Sequence, residues 1–182
     1  MMGVVWGGIN SALGLLAFRG KEKRKFFDEI IDALYNALTL PLKDYSKLWG
    51  ELRDQAKYAT SGHVIDSEAE KKLRKALTAR REEMSVERRQ VGGLAHRLTR
   101  MPEVEIQSFG RKIIEVFGFE GGSDSPVTSE FGRLVDELTK SPSSNYQAQI
   151  SHSLNRILEL QTRFRTGMAK INQEYANLKV AA

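Results

Sequence analysis

Apolar and polar positions alternate with helical periods along nearly the whole chain, and the elements they predict change character at residue 19. Met2 to Phe18 is a run of seventeen largely apolar residues with no ionisable side chain, followed at once by Arg19-Gly20-Lys21-Glu22-Lys23-Arg24-Lys25. As a helix this run spans about 25 Å, the short edge of a bilayer crossing. Gly3, Gly7, Asn10, Gly14 and Ala17 recur at intervals of four and three, which lays them along one stripe. In lipid, such a stripe lets two backbones approach closely, and an asparagine within it can hydrogen-bond across the interface.

The cations Arg19, Lys21, Lys23, Arg24 and Lys25 stand where a crossing helix would meet lipid headgroups on the cytoplasmic side. Residues 1–25 are therefore read as a hydrophobic anchor helix with a basic flank, and the bulk of the chain as cytoplasmic. A cleaved signal peptide fits less well, because its basic residues should precede the apolar region. The competing reading is a helix packed in a soluble, cytoplasmic bundle. Gly3, Gly7, Gly8 and Gly14 each weaken a helix in water by about 1 kcal/mol relative to alanine.

Residues 26–182 read as an all-α bundle with long coiled-coil-like helices. Phe26/Phe27, Ile30/Ile31, Leu34/Tyr35 and Leu38 give a wide apolar face, with Asp28, Glu29, Asp32 and Asn36 opposite, and Pro41 is expected to end this helix. A second helix over about 43–59 places Tyr45, Leu48, Trp49, Leu52 and Ala56 together. Ser67 and Glu70 have capping-box spacing and open a long helix over about 68–101. Leu73, Leu77, Met84, Val91, Leu94, Leu98 and Met101 keep a heptad register there, with Arg80 and Glu87 on core positions.

Pro102 is suited to be the first residue of the next helix, over 103–118. Residues 118–126 read as a linker, and Ser129 as the cap of a short helix carrying Phe131, Leu134, Val135 and Leu138. The last long helix, about 143–180, has the cleanest seam: Ile150, Leu154, Ile157, Gln161, Phe164, Met168, Ile171, Tyr175 and Leu178. It can pair with the 68–101 helix inside the chain or with another subunit, and the intramolecular antiparallel bundle is favoured.

Composition narrows the chemistry. No cysteine is present, which excludes disulfides and thiolate metal sites. The net charge of +5 is unevenly placed. The chain is basic over 19–25, acidic over 26–66, basic over 67–101, acidic over 102–142 and basic again over 143–182. Such alternation points to complementary faces within a fold or between subunits more than to one nucleic-acid surface. Lys71, Lys72, Arg74, Lys75, Arg80, Arg81, Arg88, Arg89, Arg97 and Arg100 have glutamates interleaved and no accompanying nucleic-acid motif.

His63, His96 and His152 are far apart and in no metal spacing. Asp28 and Asp32 share a helix face and would need outside ligands to hold a cation. No catalytic residue, cofactor site or metal site is predicted. The expected function is a non-catalytic, membrane-tethered adaptor, scaffold or assembly subunit that binds protein partners through helical faces and forms homo-oligomers. A membrane-active pore-forming effector and a soluble nucleic-acid-binding bundle are the alternatives. If the glycine stripe mediates assembly, Asn10→Leu will reduce detergent-stable oligomers on size-exclusion chromatography while leaving the circular dichroism helicity unchanged.

Overall fold

The interval of four between Phe26, Ile30, Leu34 and Leu38 is awkward for an α-helix, because each step drifts by about 40° around a 3.6-residue turn. The chain answers by underwinding. In the computed structural model, α1 (Lys23–Phe26) passes into a π-helical stretch (Phe27–Asp32) and then into α2 (Ala33–Thr60). Phe26 and Ala33, which flank the stretch, keep right-handed helical dihedrals, so the three pieces form one rod. The wider π turn offsets the drift, and Phe26, Phe27, Ile30, Ile31, Leu34 and Leu38 are all buried.

The structure describes residues 23–117 and 126–181, with the side chains at 23, 39–44, 84, 85, 87 and 88 left aside. The remaining elements are α3 (Ser67–Leu98), α4 (Val104–Phe117), α5 (Val127–Lys140), α6 (Ser143–His152) and α7 (Leu154–Ala181). Among the described residues all regular structure is helical, and no helix there is long and apolar enough to cross a membrane. The expected anchor over Met2–Phe18 and the linker at 118–125 lie outside the described residues.

These helices form four rods of an antiparallel bundle. Rod one is α1 through α2, and rod two is α3. Rod three is α4 followed by α5, and rod four is α6 followed by α7. Rods one and four run side by side in opposite directions. Tyr35 meets Asn172 near one end, Tyr45 stacks on Phe164 with ring centroids 5.4 Å apart, and Thr60 meets Ser151 near the other.

Rod three descends between rods two and four. Ser108 bonds Glu174, then Val116 abuts Gly167, then Glu130 meets Arg163 and Glu137 meets Arg156. On its other side Gly110 lies against Ala95 and Thr99, and Asp136 pairs with Arg81. Neighbouring rods pack in the order one, two, three, four and back to one. The centre is filled by Tyr45, Trp49, Phe117, Phe131 and Phe164.

Several boundaries differ from the sequence expectation. The backbone stays helical through Pro41. A proline inside a helix costs about 3 kcal/mol, but Leu34, Leu38, Tyr45, Leu48 and Trp49 are buried on both sides of it. Each such burial contributes roughly 1.5–3 kcal/mol, so packing wins. The capping box does not form. Asp66 occupies the cap position without a side-chain bond, and Glu70 turns to Arg74 instead.

Three further starts and ends shift. α4 begins at Val104, two residues after Pro102, and α5 begins at Val127, with Ser129 already in its first turn. The 143–180 helix is interrupted by one residue, Ser153, whose N–H reaches both Gln149 and Ile150 carbonyls and whose hydroxyl donates to Gln149 O at 2.8 Å.

Two glycines test the packing in opposite senses. A Cβ on Gly110 would lie 2.8 Å from Ala95 O and 3.2 Å from Thr99 N, both backbone atoms that cannot step aside. At Gly93, exposed within α3, a Cβ meets nothing within 4 Å. Gly110→Ala is expected to cost about 1–3 kcal/mol, and Gly93→Ala to add up to about 1 kcal/mol. Thermal unfolding checks both, at roughly 2–4 °C per kcal/mol for a chain of this size. An unchanged midpoint in Gly110→Ala would remove the close α3–α4 approach.

Candidate functional site

Between rods one and four, near Lys23, a polar and aromatic cluster closes the bundle. The π-helical stretch turns Asp32 toward α7, where the Tyr175 hydroxyl donates a short hydrogen bond to its Oδ1. Asn36 Nδ2 donates to the other carboxylate oxygen at 2.9 Å. Tyr35 OH donates to Asn172 Oδ1 at 3.1 Å, and its ring lies 3.7 Å from that of Tyr175, almost parallel. Phe27 stacks on the other flank at 5.7 Å, with Lys179 Nζ 5.9 Å from the Tyr175 ring centroid. The bond to the Asp32 carboxylate holds the Tyr175 hydroxyl up at about 12, since ionising it would set two anions together.

A second hub lies near the opposite end. Arg74 on α3 pairs with Glu70 at 2.8 Å and sends NH1 to the carbonyls of Thr139, at 3.1 Å, and Ser141, at 2.6 Å. Those carbonyls end α5, where a helix has unsatisfied acceptors and a partial negative charge, so the cation caps it. Its guanidinium also lies 4.5 Å over the ring of Tyr146, whose hydroxyl donates to Gln55 at 3.1 Å. Burial pushes the Tyr146 hydroxyl to about 12, with nearby Arg74 opposing and Glu70 reinforcing the shift. Gln147 bridges His63 O and Ile65 N, holding the turn between α2 and α3.

A groove of about 530 Å³ lies beside the interval between α4 and α5. Val116, Val127 and Gly167 line it together with Glu159, Thr166 and Lys170.

The sequence-predicted residues fall in three groups. Gly3, Gly7, Asn10, Gly14, Ala17, Arg19 and Lys21, together with the side chain of Lys23, lie outside the described residues. Arg24 and Lys25 are exposed and sit 3.5 Å from Asp28 and 3.9 Å from Glu29. These are surface pairs one helical turn apart, worth at most about 1 kcal/mol.

Of the seam, Ile150, Ile157, Gln161, Phe164, Met168, Ile171 and Leu178 are buried, and Leu154 and Tyr175 are partly buried against the core. The rod they belong to packs on α2, α4 and α5 within the chain and makes no backbone approach to α3 among the described residues. Among the cations of α3, Arg74, Arg80 and Arg81 are held in ion pairs, whereas Lys71, Lys72, Lys75, Arg97 and Arg100 are exposed.

Asp28 and Asp32 face Arg24 and Tyr175 respectively. Among the described residues no group of three or more His, Asp or Glu side chains is placed to hold a metal ion. The Asp32–Tyr35–Asn172–Tyr175 cluster was not visible in the heptad pattern, which assigned Tyr175 to the seam alone. The signal that could have found it is the four-residue interval over 26–38, which an unbroken α-helix cannot keep on one face. Compared with known proteins, the chain matches no family model, no characterised protein and no solved structure.

Tyr146 and Tyr175 carry a stability consequence with a definite sign. Both hydroxyls have folded-state values raised from 10.0 to about 12, so the folded chain favours their neutral forms. Their contribution is complete below pH 10 and is lost as pH rises toward 12. Urea midpoints measured from pH 9 to 12 are expected to fall across that window, less steeply in Tyr146→Phe and Tyr175→Phe. Absorbance titration should lose one high-pH phenol in each variant. A phenol titrating at the ordinary value in the wild type and missing from Tyr175→Phe would break the assigned link to Asp32.

Proposed function

We propose that this chain is a non-catalytic, membrane-tethered helical adaptor or assembly subunit whose bundle is carried on the N-terminal apolar run. The observation that supports this reading is the start of rod one. At Lys23, within the basic block, the first described residue is already helical, and Phe26 is buried in the bundle core. Only a few residues separate Phe18 from a rod of 38 residues, Lys23–Thr60. A tether joined this closely fixes the bundle near its attachment point instead of letting it roam on a long linker.

Partner binding on this reading uses the outer faces of the rods, because the seam of rod four is covered by its own chain. Exposed polar faces on α3 and α7 are the available surfaces. Homo-oligomers would form through Gly3, Gly7, Asn10, Gly14 and Ala17 in the bilayer, with the bundles carried outside it on the cytoplasmic side.

The test is alkaline carbonate extraction of membranes from cells making the full chain, alongside Ile9→Asp/Leu13→Arg. A charge at the centre of a crossing helix costs about 2.5–3.5 kcal/mol. The wild type should stay in the pellet and the double variant should move to the supernatant. Release of both would end the anchor reading and bring forward a soluble scaffold.

A further inference from the structure

Each of the four rods is weakened or interrupted at one level of the bundle. Gly167 on α7 lies so close to Val116 that a Cβ there would overlap the valine Cγ2. Pro126, with an extended ψ of 140°, stands just before α5, and Thr128 in the first turn of α5 donates to the Val116 carbonyl, so the start of α5 lies at the same height. The pairs Tyr35–Asn172 and Tyr45–Phe164 bracket Pro41, placing it opposite residues 167–168. Gly110 against Ala95 and Thr99 sets the register of α3, which brings Gly92 and Gly93 opposite the last turn of α4. Proline removes a ladder hydrogen bond and glycine adds backbone freedom to any opened state. Next to this level the core is aromatic, with Tyr45, Phe117, Phe131 and Phe164 in ring contact at 5.4 to 6.4 Å.

The two sides of this waist are held differently. On the side away from Lys23, polar bonds run from rod to rod: Arg74 to Thr139 and Ser141, Arg81 to Asp136, Arg163 to Glu130, Arg156 to Glu137, Tyr146 to Gln55, and Gln147 to the 63–65 turn. On the side next to Lys23 the described residues bridge the rods through Tyr175 to Asp32, Tyr35 to Asn172 and Ser108 to Glu174. Phe26, Ile30, Leu34, Leu98, Phe109 and Ile171 pack the apolar core of that half.

We propose that the waist divides the bundle into two cooperative units, and that the half next to Lys23 opens without global unfolding. Opening this half uncovers Phe26, Phe27, Ile30, Ile31, Ile113 and Ile171, an apolar surface directly behind the basic block. Independent units of this kind are set by local differences in packing and bonding. The inference holds whether or not the N-terminal run enters a bilayer, and its test needs no membrane.

Native-state hydrogen exchange of the full chain, followed by mass spectrometry in rising sub-denaturing urea, reads the two halves separately. Amides of 26–38, 94–98, 106–116 and 171–178 should exchange through a lower-energy opening with a smaller urea dependence than those of 48–58, 73–80, 130–138 and 155–164. Tyr175→Phe removes one bridge and should speed exchange about fivefold in the first set, leaving the second unchanged. One common urea dependence for all amides overturns the proposal, as does equal acceleration of both sets, or of neither, in Tyr175→Phe.

Discussion

The contact on which this fold depends is the antiparallel packing of the first rod against the last. Phe26 to Ala59 and Ile150 to Leu178 supply the two apolar faces. Because the partners are far apart in sequence, closing this contact brings nearly the whole described chain into one loop, and the cost of closure must be met by burial. Rods two and three then fill the remaining sides of a core that the outer pair has defined. This explains why the first rod tolerates both a π-helical stretch and a proline. Each is unfavourable locally, yet each is held by buried neighbours on either side.

Polar side chains in this bundle act at the ends of elements more than along them. Arg74 caps the carbonyls that end α5, Gln147 fixes the α2–α3 turn, and Thr128 donates at 3.0 Å to the Val116 carbonyl near the end of α4. Helix ends leave backbone groups unsatisfied, and buried ends require partners. The chain uses longer-range side chains for this task beside local ones, such as Ser61 Oγ donating to Lys57 O and Thr99 Oγ1 to His96 O at the ends of α2 and α3. The structured caps at Asp66, Pro126 and Pro142 make no side-chain bond. A rod whose ends are satisfied by a neighbouring rod cannot leave without exposing both.

The heptad and helical periods made the helices, their apolar faces and most core residues legible, because burial on one side of a helix leaves a 3.6-residue trace. The seam from Ile150 to Leu178 is the clearest case, since seven of its nine members are buried. What the pattern could not carry was the identity of the facing surface. Leu73, Leu77 and Leu94 share a register compatible with that seam, but α3 sits diagonally across the bundle from it. Periodicity reports that a face is covered, not by what. The polar clusters were hidden for a related reason: Asp32 with Tyr175, or Arg74 with Ser141, join residues from opposite ends of the chain or from separate helices. Glu70 was assigned to a local cap because the capping-box spacing is satisfied in sequence, whereas Arg74 competes for it one turn away.

Charge resolves part of what periodicity leaves open. The basic blocks 67–101 and 143–182 map onto rods two and four and the acidic block 102–142 onto rod three, while rod one, Lys23–Thr60, is near balance with seven cations and six anions. In the observed square the two basic rods stand on one diagonal, each beside rod three. Rod three shows this directly, meeting Arg81 of rod two through Asp136 and Arg156 and Arg163 of rod four through Glu137 and Glu130. Exchanging two adjacent rods would set α3 beside α7, basic against basic. Each exposed pair contributes at most about 1 kcal/mol, too little to explain why the bundle is stable. Together with repulsion between the two basic rods in the exchanged arrangements, the pairs of rod three favour this order over another with the same buried leucines.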